Sequence, residues 1–371
     1  MAVPRSVRLS EIEELAEMVG GIFGIDKLYS KEQMVAALRR PRDRKDALVI
    51  AEGGKLVSQI RTVYERVSVF GCEFKVASIG TVCTKEEHRG RGYAGAILNM
   101  ALKQMRERGV KALIVSGNRS LYRRNHCVPA GRLYEASVGR DFRAPAEGPT
   151  ARKVTPNDWA ALAPLHQAEG VRFVRSADFV SRLPFWWDCE RPDIWLIEHK
   201  GEPVAYALLS LAWRQDPERK VREIHEYAGS RAALVEALPG IIAASGLHEV
   251  KVLALGHDRE LVWQLEQRGL RPRQRTLGGT HRIIDLPGLM QALRPYLAER
   301  LPREELRELA FEQRGEKCAV SLGREKLRMT LSEAAPLVLG GPGAPKAKGE
   351  LGRVLGAVFP VPFPMPGFNY V

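Results

Sequence analysis

The chain has 371 residues, 45% hydrophobic and 27% charged, with 57 Lys and Arg against 44 Asp and Glu, so its formal charge is 57 − 44 = +13. That is a globular composition with enough apolar material for two or three cores. The basic surplus attracts anions, but no zinc-finger spacing and no run of basic residues interleaved with aromatics accompanies it, so nucleic acid is not the expected partner. Cys72, Cys83, Cys127, Cys189 and Cys318 are an odd, widely spaced set, which predicts reduced thiols and no metal site. No apolar run of membrane-spanning length occurs, the opening "MAVPRSVRLSEIEELAEM" meets charge at once, and a cytoplasmic location is the expectation.

In chain order, "SEIEELAEMVGGIF" reads as a helix capped by Ser10, with Ile12, Leu15, Val19 and Ile22 at helical spacing. "SKEQMVAALRR" is a second helix, with Ser30 as its cap. Residues 46–84 read as successive strands with turns at Gly53-Gly54 and Phe70-Gly71. "GYAGAILNMALKQMRERG" is a long helix stopped by Gly109, and "VKALIVSG" is the next strand. Between Pro145 and Pro156 the chain loses its period and gains proline, which marks a boundary. A helix, a hairpin through Lys200-Gly201, a strand, a helix, a strand and a helix then follow, an order that repeats the first part. A third region begins near His281, with a helix from Pro287. The predicted limits are 1–148, 149–280 and 281–371, in an α/β (α+β) chain with mixed central sheets.

The richest stretch is "VCTKEEHRGRGYAGAIL". A strand ends near Thr84, a charged loop follows, and Arg89-Gly90-Arg91-Gly92-Tyr93-Ala94 leads into the long helix. A helix start presents unpaired amides and the positive end of its dipole, glycines let a phosphate approach the backbone closely, and the two arginines add bidentate donors. A solvated helix-capping turn is the plainer account of the same residues. The pattern lacks the lysine of a Walker loop and the three glycines of a dinucleotide fingerprint.

With Arg89, Gly92 and Ala94 in this setting, the chain resembles the GCN5-related N-acetyltransferases (GNAT). The resemblance implies tandem acyl-CoA N-acyltransferase folds, with acetyl-CoA as cofactor. Its pyrophosphate would lie on Arg89, Gly90, Arg91, Gly92, Tyr93 and Ala94, and its pantetheine arm along Val82, Cys83 and Thr84. The layout also resembles the enhanced intracellular survival (Eis-like) acetyltransferases. That implies a degenerate second GNAT domain, a C-terminal domain like sterol carrier proteins, a homo-oligomer, and a small-molecule amine such as an aminoglycoside or polyamine as acceptor. In "EYAGSRAALVEAL" the second domain has one glycine where the pyrophosphate turn would be, so it is not expected to bind coenzyme A.

The resemblance places the general acid at Tyr122 in "SLYRRNHC" and implies that the carboxylate of Val371 is the base. His126 and Cys127 stand where the family usually has a glycine and an aromatic residue, which leaves Tyr134 as a rival acid. His126 as a base and Cys127 as an acyl carrier are weaker alternatives. Phe23, Trp186, Trp187 and Asp188 are candidates for the acceptor wall, with Glu190, Glu65 and Glu73 as further acids; aromatic faces beside acids suit a cationic amine. Two other readings stay open: acetylation of protein lysine or an N-terminus, and a non-catalytic coenzyme A or lipid-binding protein.

Overall fold

The computed structural model describes residues 3–23, 31–143, 147–175, 193–209 and 220–369. The first part contains β1 (Arg5–Ser6), α1 (Ile12–Phe23), α2 (Lys31–Arg39), β2 (Ala47–Glu52), β3 (Lys55–Val69), β4 (Cys72–Thr84), α3 (Tyr93–Glu107), β5 (Ala112–Val115), α4 (Ser120–Arg123) and β6 (Leu133–Gly139). The middle part contains β7 (Thr150–Lys153), α5 (Trp159–Gln167), β8 (Val171–Phe173), β9 (Asp193–His199), β10 (Glu202–Leu209), β11 (Val221–Gly229), α6 (Arg231–Ser245), β12 (Glu249–Leu255), α7 (Arg259–Gln267) and β13 (Arg273–Arg275). The last contains β14 (Thr280–Ile283), α8 (Leu286–Ala292), α9 (Arg294–Ala298), β15 (Leu309–Arg314), β16 (Lys317–Leu322), β17 (Glu325–Thr330), α10 (Leu331–Leu339) and α11 (Gly349–Val358).

Turn chemistry explains the hairpins. Gly53 and Gly54 both have positive φ, as a tight two-residue connection requires. At Phe70-Gly71 and Lys200-Gly201 a non-glycine residue takes the first left-handed position. The first helix begins differently from expectation. A single 3-10 turn at Leu9–Glu11 precedes α1, and the Glu11 carboxylate accepts from the Arg8 amide at 2.9 Å, so Ser10 is not the cap. Ser30 lies outside the described residues.

The strands form two mixed sheets and a small antiparallel one. The first runs β1-β2-β3-β4-β5-β14, with β8 added to β3; the second runs β13-β6-β12-β11-β10-β9-β7. Two strands are exchanged. β6 pairs with β12 in the second sheet, although it lies within residues 1–148, and β14, at the start of the third region, pairs with β5 to close the first sheet. The sheets therefore cross the limits read from composition. The third sheet, β15-β16-β17, packs with α8 to α11 into a core continuous with the far ends of β3 and β4.

Strand alternation divides the faces of the first sheet. Ala77, Ile79, Leu113 and Val115 face α3, together with Ile97, Leu98, Ala101 and Met105 from that helix. Val67, Val76 and Ile114 face the opposite side, toward the third region. On this opposite side His281 of β14 sits beside Ile114, almost fully buried, with the Phe363 ring edge-on at 5.9 Å. Its Nδ1 has no partner among the described residues, and burial lowers its pKa to about 4.

That shift has a definite sign. Between the ordinary histidine value of about 6.5 and about 4, the unfolded chain takes a proton at this position that the folded chain refuses. Stability is therefore lost as pH falls through that window, by up to about 1.4 kcal/mol per pH unit from this group. Denaturant titrations at stepped pH are expected to show the loss, and His281→Leu is expected to flatten it.

Candidate active site

The β4–β5 ladder is parallel and runs from Val76–Ala112 to Ile79–Val115. There it stops. β4 continues to Thr84 with β3 still beside it, while β5, which lies between β4 and β14, ends at Val115. A cleft opens between β4 and β5 along Gly80, Thr81, Val82, Cys83 and Thr84. At its mouth β4 carries a bulge: Gln59 pairs with Cys83 and Arg61 with Gly80, so Thr81 and Val82 oppose Ile60 alone. Thr81 has a φ of 46°, and the Gln59 side-chain amide donates to its carbonyl at 2.6 Å.

The predicted phosphate turn lies at the outer end of this cleft. Gly90 and Gly92 have φ of 78° and 80°, which suits glycine and little else. Gly92 is the residue before the first turn of α3, and no side chain caps that turn. A Cβ placed at Gly90, Gly92 or Gly95 would meet no atom within 4 Å. Tyr93 is buried, so only its backbone faces the opening. Arg89 and Arg91 are half-exposed, Arg89 beside Glu86 at 3.7 Å and Arg91 on Glu52 at 3.0 Å. Uncapped amides, open space above three glycines and two solvent-reaching guanidinium groups fit a pyrophosphate.

Glu52, at the end of β2, was not anticipated. The Tyr93 hydroxyl, then His88 and Arg91, hold its carboxyl below the usual range. It ties the turn to the first hairpin from a position 39 residues earlier than Arg91, and nothing in its local sequence marks it.

The second sheet supplies an internal control. β11 pairs with β12 in parallel from Val221–Glu249 to Ile224–Val252 and then runs on to Gly229, followed by α6, the same arrangement as β4, β5 and α3. Here the cleft is filled from within. The Tyr227 hydroxyl donates to Asp258 at 2.9 Å and accepts the Leu255 amide at 3.1 Å. Ser230 caps α6 through the Ala233 amide. The Glu169 carboxylate takes the Gly229 amide at 3.0 Å and the Arg231 guanidinium at 2.7 and 2.6 Å. A protein carboxylate thus occupies the helix-start position that the first sheet leaves open.

Tyr122 lies on α4, just after β5, buried against Gly117 in the same core as Val115 and Tyr93. Burial pushes its phenol pKa up, with Arg119 pulling slightly the other way. Tyr134 belongs elsewhere: it lies on β6 in the second sheet, beneath Arg259 of α7. Cys127 is fully buried, and burial pushes its thiol up to about 12, so it is not a ready nucleophile. His126 has both ring nitrogens engaged, by Ser332 at 2.8 Å and Glu316 at 3.0 Å.

Phe23 is exposed at the end of α1. Trp186, Trp187, Asp188, Glu190 and Val371 lie outside the described residues. Glu73 pairs with Arg66 on the hairpin. Glu65 faces the side opposite α3, where Asn369 donates to it at 2.5 Å. The Asn369 side-chain oxygen Oδ1 accepts from Arg175 at 3.2 Å, and Arg175 grips Glu226 at 2.8 and 2.5 Å. Burial pushes the Glu226 carboxyl up, but Arg175 and Tyr206 outweigh it and bring it down to about 2.

The C-terminal segment therefore touches β14 at Phe363 and β3 at Asn369, with β5 and β4 between them in the sheet. Three strand spacings are about 14 Å, within the reach of six extended residues, about 20 Å. The segment passes across the sheet on the face opposite α3. A cavity of about 40 Å³ lies beside it, lined by His166, Arg172, Glu226, Arg231, His257 and Met365 among others, away from the phosphate turn. It has room for a few waters. Among the described residues no cluster of His, Cys, Asp and Glu side chains is placed to hold a metal, and no helix is long and apolar enough to cross a membrane.

Residues 3–127 match the family model of the acetyltransferase (GNAT) domain. No protein of curated function matches the chain. Solved structures do. A GCN5-related N-acetyltransferase from Kribbella flavida aligns with a TM-score of 0.65 at 16% identity, over 98% of this chain and 98% of that one. Eis1 from Mycobacterium abscessus aligns at 0.64 and 13% identity, over 99% and 100%. A conserved protein of unknown function from Enterococcus faecalis V583, described as a probable N-acyltransferase, aligns at 0.61 and 14%, over 79% and 75%. At such identities the likeness establishes the fold. The fold is of the GNAT type, and with the domain match the chain is an acetyl-CoA-dependent transferase.

Calorimetric titration with coenzyme A is expected to give one site per chain, because only one of the two helix starts is open. Gly92→Ala, which forces a left-handed residue at the turn, is expected to weaken that binding about 10-fold. Two sites of similar affinity would contradict the reading of Glu169 as an internal occupant.

Proposed function

We propose that this transferase is an Eis-like N-acetyltransferase that acetylates a primary amine of a small molecule, with aminoglycosides and polyamines as the first acceptors to test. The observation that carries the reading is the contrast between the two clefts: one is plugged by its own side chains, and the other ends in an uncapped, glycine-lined helix start. The full-length alignment with Eis1 supports the finer assignment. So does the third region's placement against the first sheet, read here as the sterol-carrier-like domain, with a homo-oligomer as the assembly.

In this reading Arg89, Gly90, Arg91, Gly92, Tyr93 and Ala94 hold the pyrophosphate, the arginines by side chain and the rest by backbone. The exposed edge of β4 at Val82, Cys83 and Thr84 carries the pantetheine arm. Acetyl-CoA would supply an acetyl group already activated as a thioester. Backbone N–H groups near Cys83, at and after the bulge of Thr81 and Val82, orient its carbonyl, donors placed before charge develops being the effective ones. Tyr122 holds the proton required by the departing sulfur, and its raised pKa keeps that proton in place at neutral pH. The acceptor approaches from the face opposite α3, since α3 covers the other. The C-terminal segment crosses that face as far as Asn369, and in this reading the amine's proton goes to the carboxylate of Val371, which lies outside the described residues.

Tyr122→Phe is expected to lower kcat about 100-fold with coenzyme A affinity within twofold. In the wild-type protein, loss of the Tyr122 proton is expected to reduce kcat only above pH about 10, since the group's acid form persists below its raised pKa. A thiol-release assay across aminoglycosides, polyamines and lysine peptides decides the acceptor. Turnover with peptides alone would replace the small-molecule assignment by a protein acetyltransferase. Deleting residues 370–371 is expected to depress kcat well beyond any change in coenzyme A affinity, and unchanged turnover would remove Val371 from the mechanism.

A further inference from the structure

His126 holds a backbone conformation that few non-glycine residues adopt. Its φ is 58°, the left-handed region that glycine enters freely and a bulky side chain enters at a cost of about 1 kcal/mol. It occupies the position that ends α4: the Cys127 amide reaches back to the Tyr122 carbonyl at 3.0 Å and the His126 amide to the Arg123 carbonyl at 3.1 Å, a helix stop that favours glycine. Glycine at this position would relieve the backbone, so the imidazole must contribute something that offsets the strain.

Its contacts show what. Nδ1 lies 2.8 Å from the Ser332 hydroxyl, at the start of α10, and Nε2 lies 3.0 Å from the Glu316 carboxylate, in the turn between β15 and β16. Both partners belong to the third region, about 200 residues away in sequence. The imidazole N–H holds the Glu316 carboxyl below its ordinary range. The same loop is fixed from β14, where Arg282 donates to the Asn125 carbonyl at 2.7 Å and Thr280 to the Gly117 carbonyl at 2.9 Å.

We infer that His126 is a positioning residue: it staples the loop bearing Tyr122 to the third region, and so sets the place of the phenol in the cleft. This rests on the assignment of Tyr122 as the acid. The linkage is short, because the Tyr122 carbonyl accepts both the Asn125 and the Cys127 amides, which flank His126. A displacement of the imidazole is passed to the backbone of Tyr122 through those two bonds.

The test separates strain from staple. His126→Gly relieves the backbone and deletes the imidazole. Its unfolding midpoint is expected to stay close to the wild type, while kcat falls about 10-fold with coenzyme A affinity within twofold, the signature of a misplaced acid. Ser332→Ala combined with Glu316→Gln, both outside the cleft, is expected to give the same fall, and adding His126→Gly to them is expected to cost little more. A folded His126→Gly protein with wild-type kcat overturns the staple, as does an equal loss of coenzyme A affinity or a fully additive triple variant. Tyr122→Phe is run beside them: full turnover there overturns the acid assignment and the staple together, whereas a slow Tyr122→Phe with a fast His126→Gly overturns the staple alone.

Discussion

The working part of this molecule depends on one parallel ladder ending early. β4 and β5 hold together only from Val76 to Ile79; β5 then ends at Val115, while β4 runs on to Thr84 with β3 alone beside it. Unpaired backbone inside a protein is costly, so a cleft of this kind persists only when something else satisfies its edges. In the first sheet the edge of β4 beyond Ile79 has no strand partner on the β5 side among the described residues. In the second sheet the Tyr227 side chain bridges the gap, its hydroxyl accepting the Leu255 amide of β12 and donating to Asp258. One architecture thus appears twice, once left open beyond its ladder and once closed by its own side chains.

The closure of the second cleft is more than the loss of a motif. A missing glycine would leave a poor anion site; the Glu169–Arg231–Asp258 cluster leaves none. Removing a single partner from such a buried cluster exposes an uncompensated charge and costs about 3 kcal/mol or more. The second sheet is therefore held shut by electrostatics, and its contribution to the site comes through β11, whose Glu226 holds Arg175 and through it Asn369.

Local signals were legible in the sequence. The Gly53-Gly54 and Lys200-Gly201 turns, the run of α3 to Gly109, and the glycine turn ahead of α3 all depend on neighbours within a few residues. The same holds for the alternation of helix and strand that gives the repeated order. What the sequence did not reveal is what depends on distance. The exchange of β6 and β14 has no local signature, because each strand reads the same whichever sheet receives it. Ser10 reads as the cap of the first helix, yet the Glu11 carboxylate supplies the bond, to the Arg8 amide. Tyr134 was a reasonable rival to Tyr122 until its strand proved to belong to the second sheet. Glu52, Glu169 and Asn369 are ordinary polar residues in sequence and acquire meaning only from partners far along the chain.

The strand exchange also governs how the chain can come to be folded. The first sheet lacks its β14 edge until residue 283 is present, and the second needs β6, which lies ahead of the compositional boundary read between Pro145 and Pro156. The first sheet, whose strands run from Arg5 to Ile283, cannot be completed from a contiguous half of the polypeptide. During synthesis the β5 edge, with its Leu113 and Val115 backbone unpaired on one side, must wait for roughly 165 further residues to appear, several seconds to half a minute at about 5–20 residues per second. An open strand edge is a template for association with other chains, so the same interlock that unites the finished molecule leaves it vulnerable while it is being made.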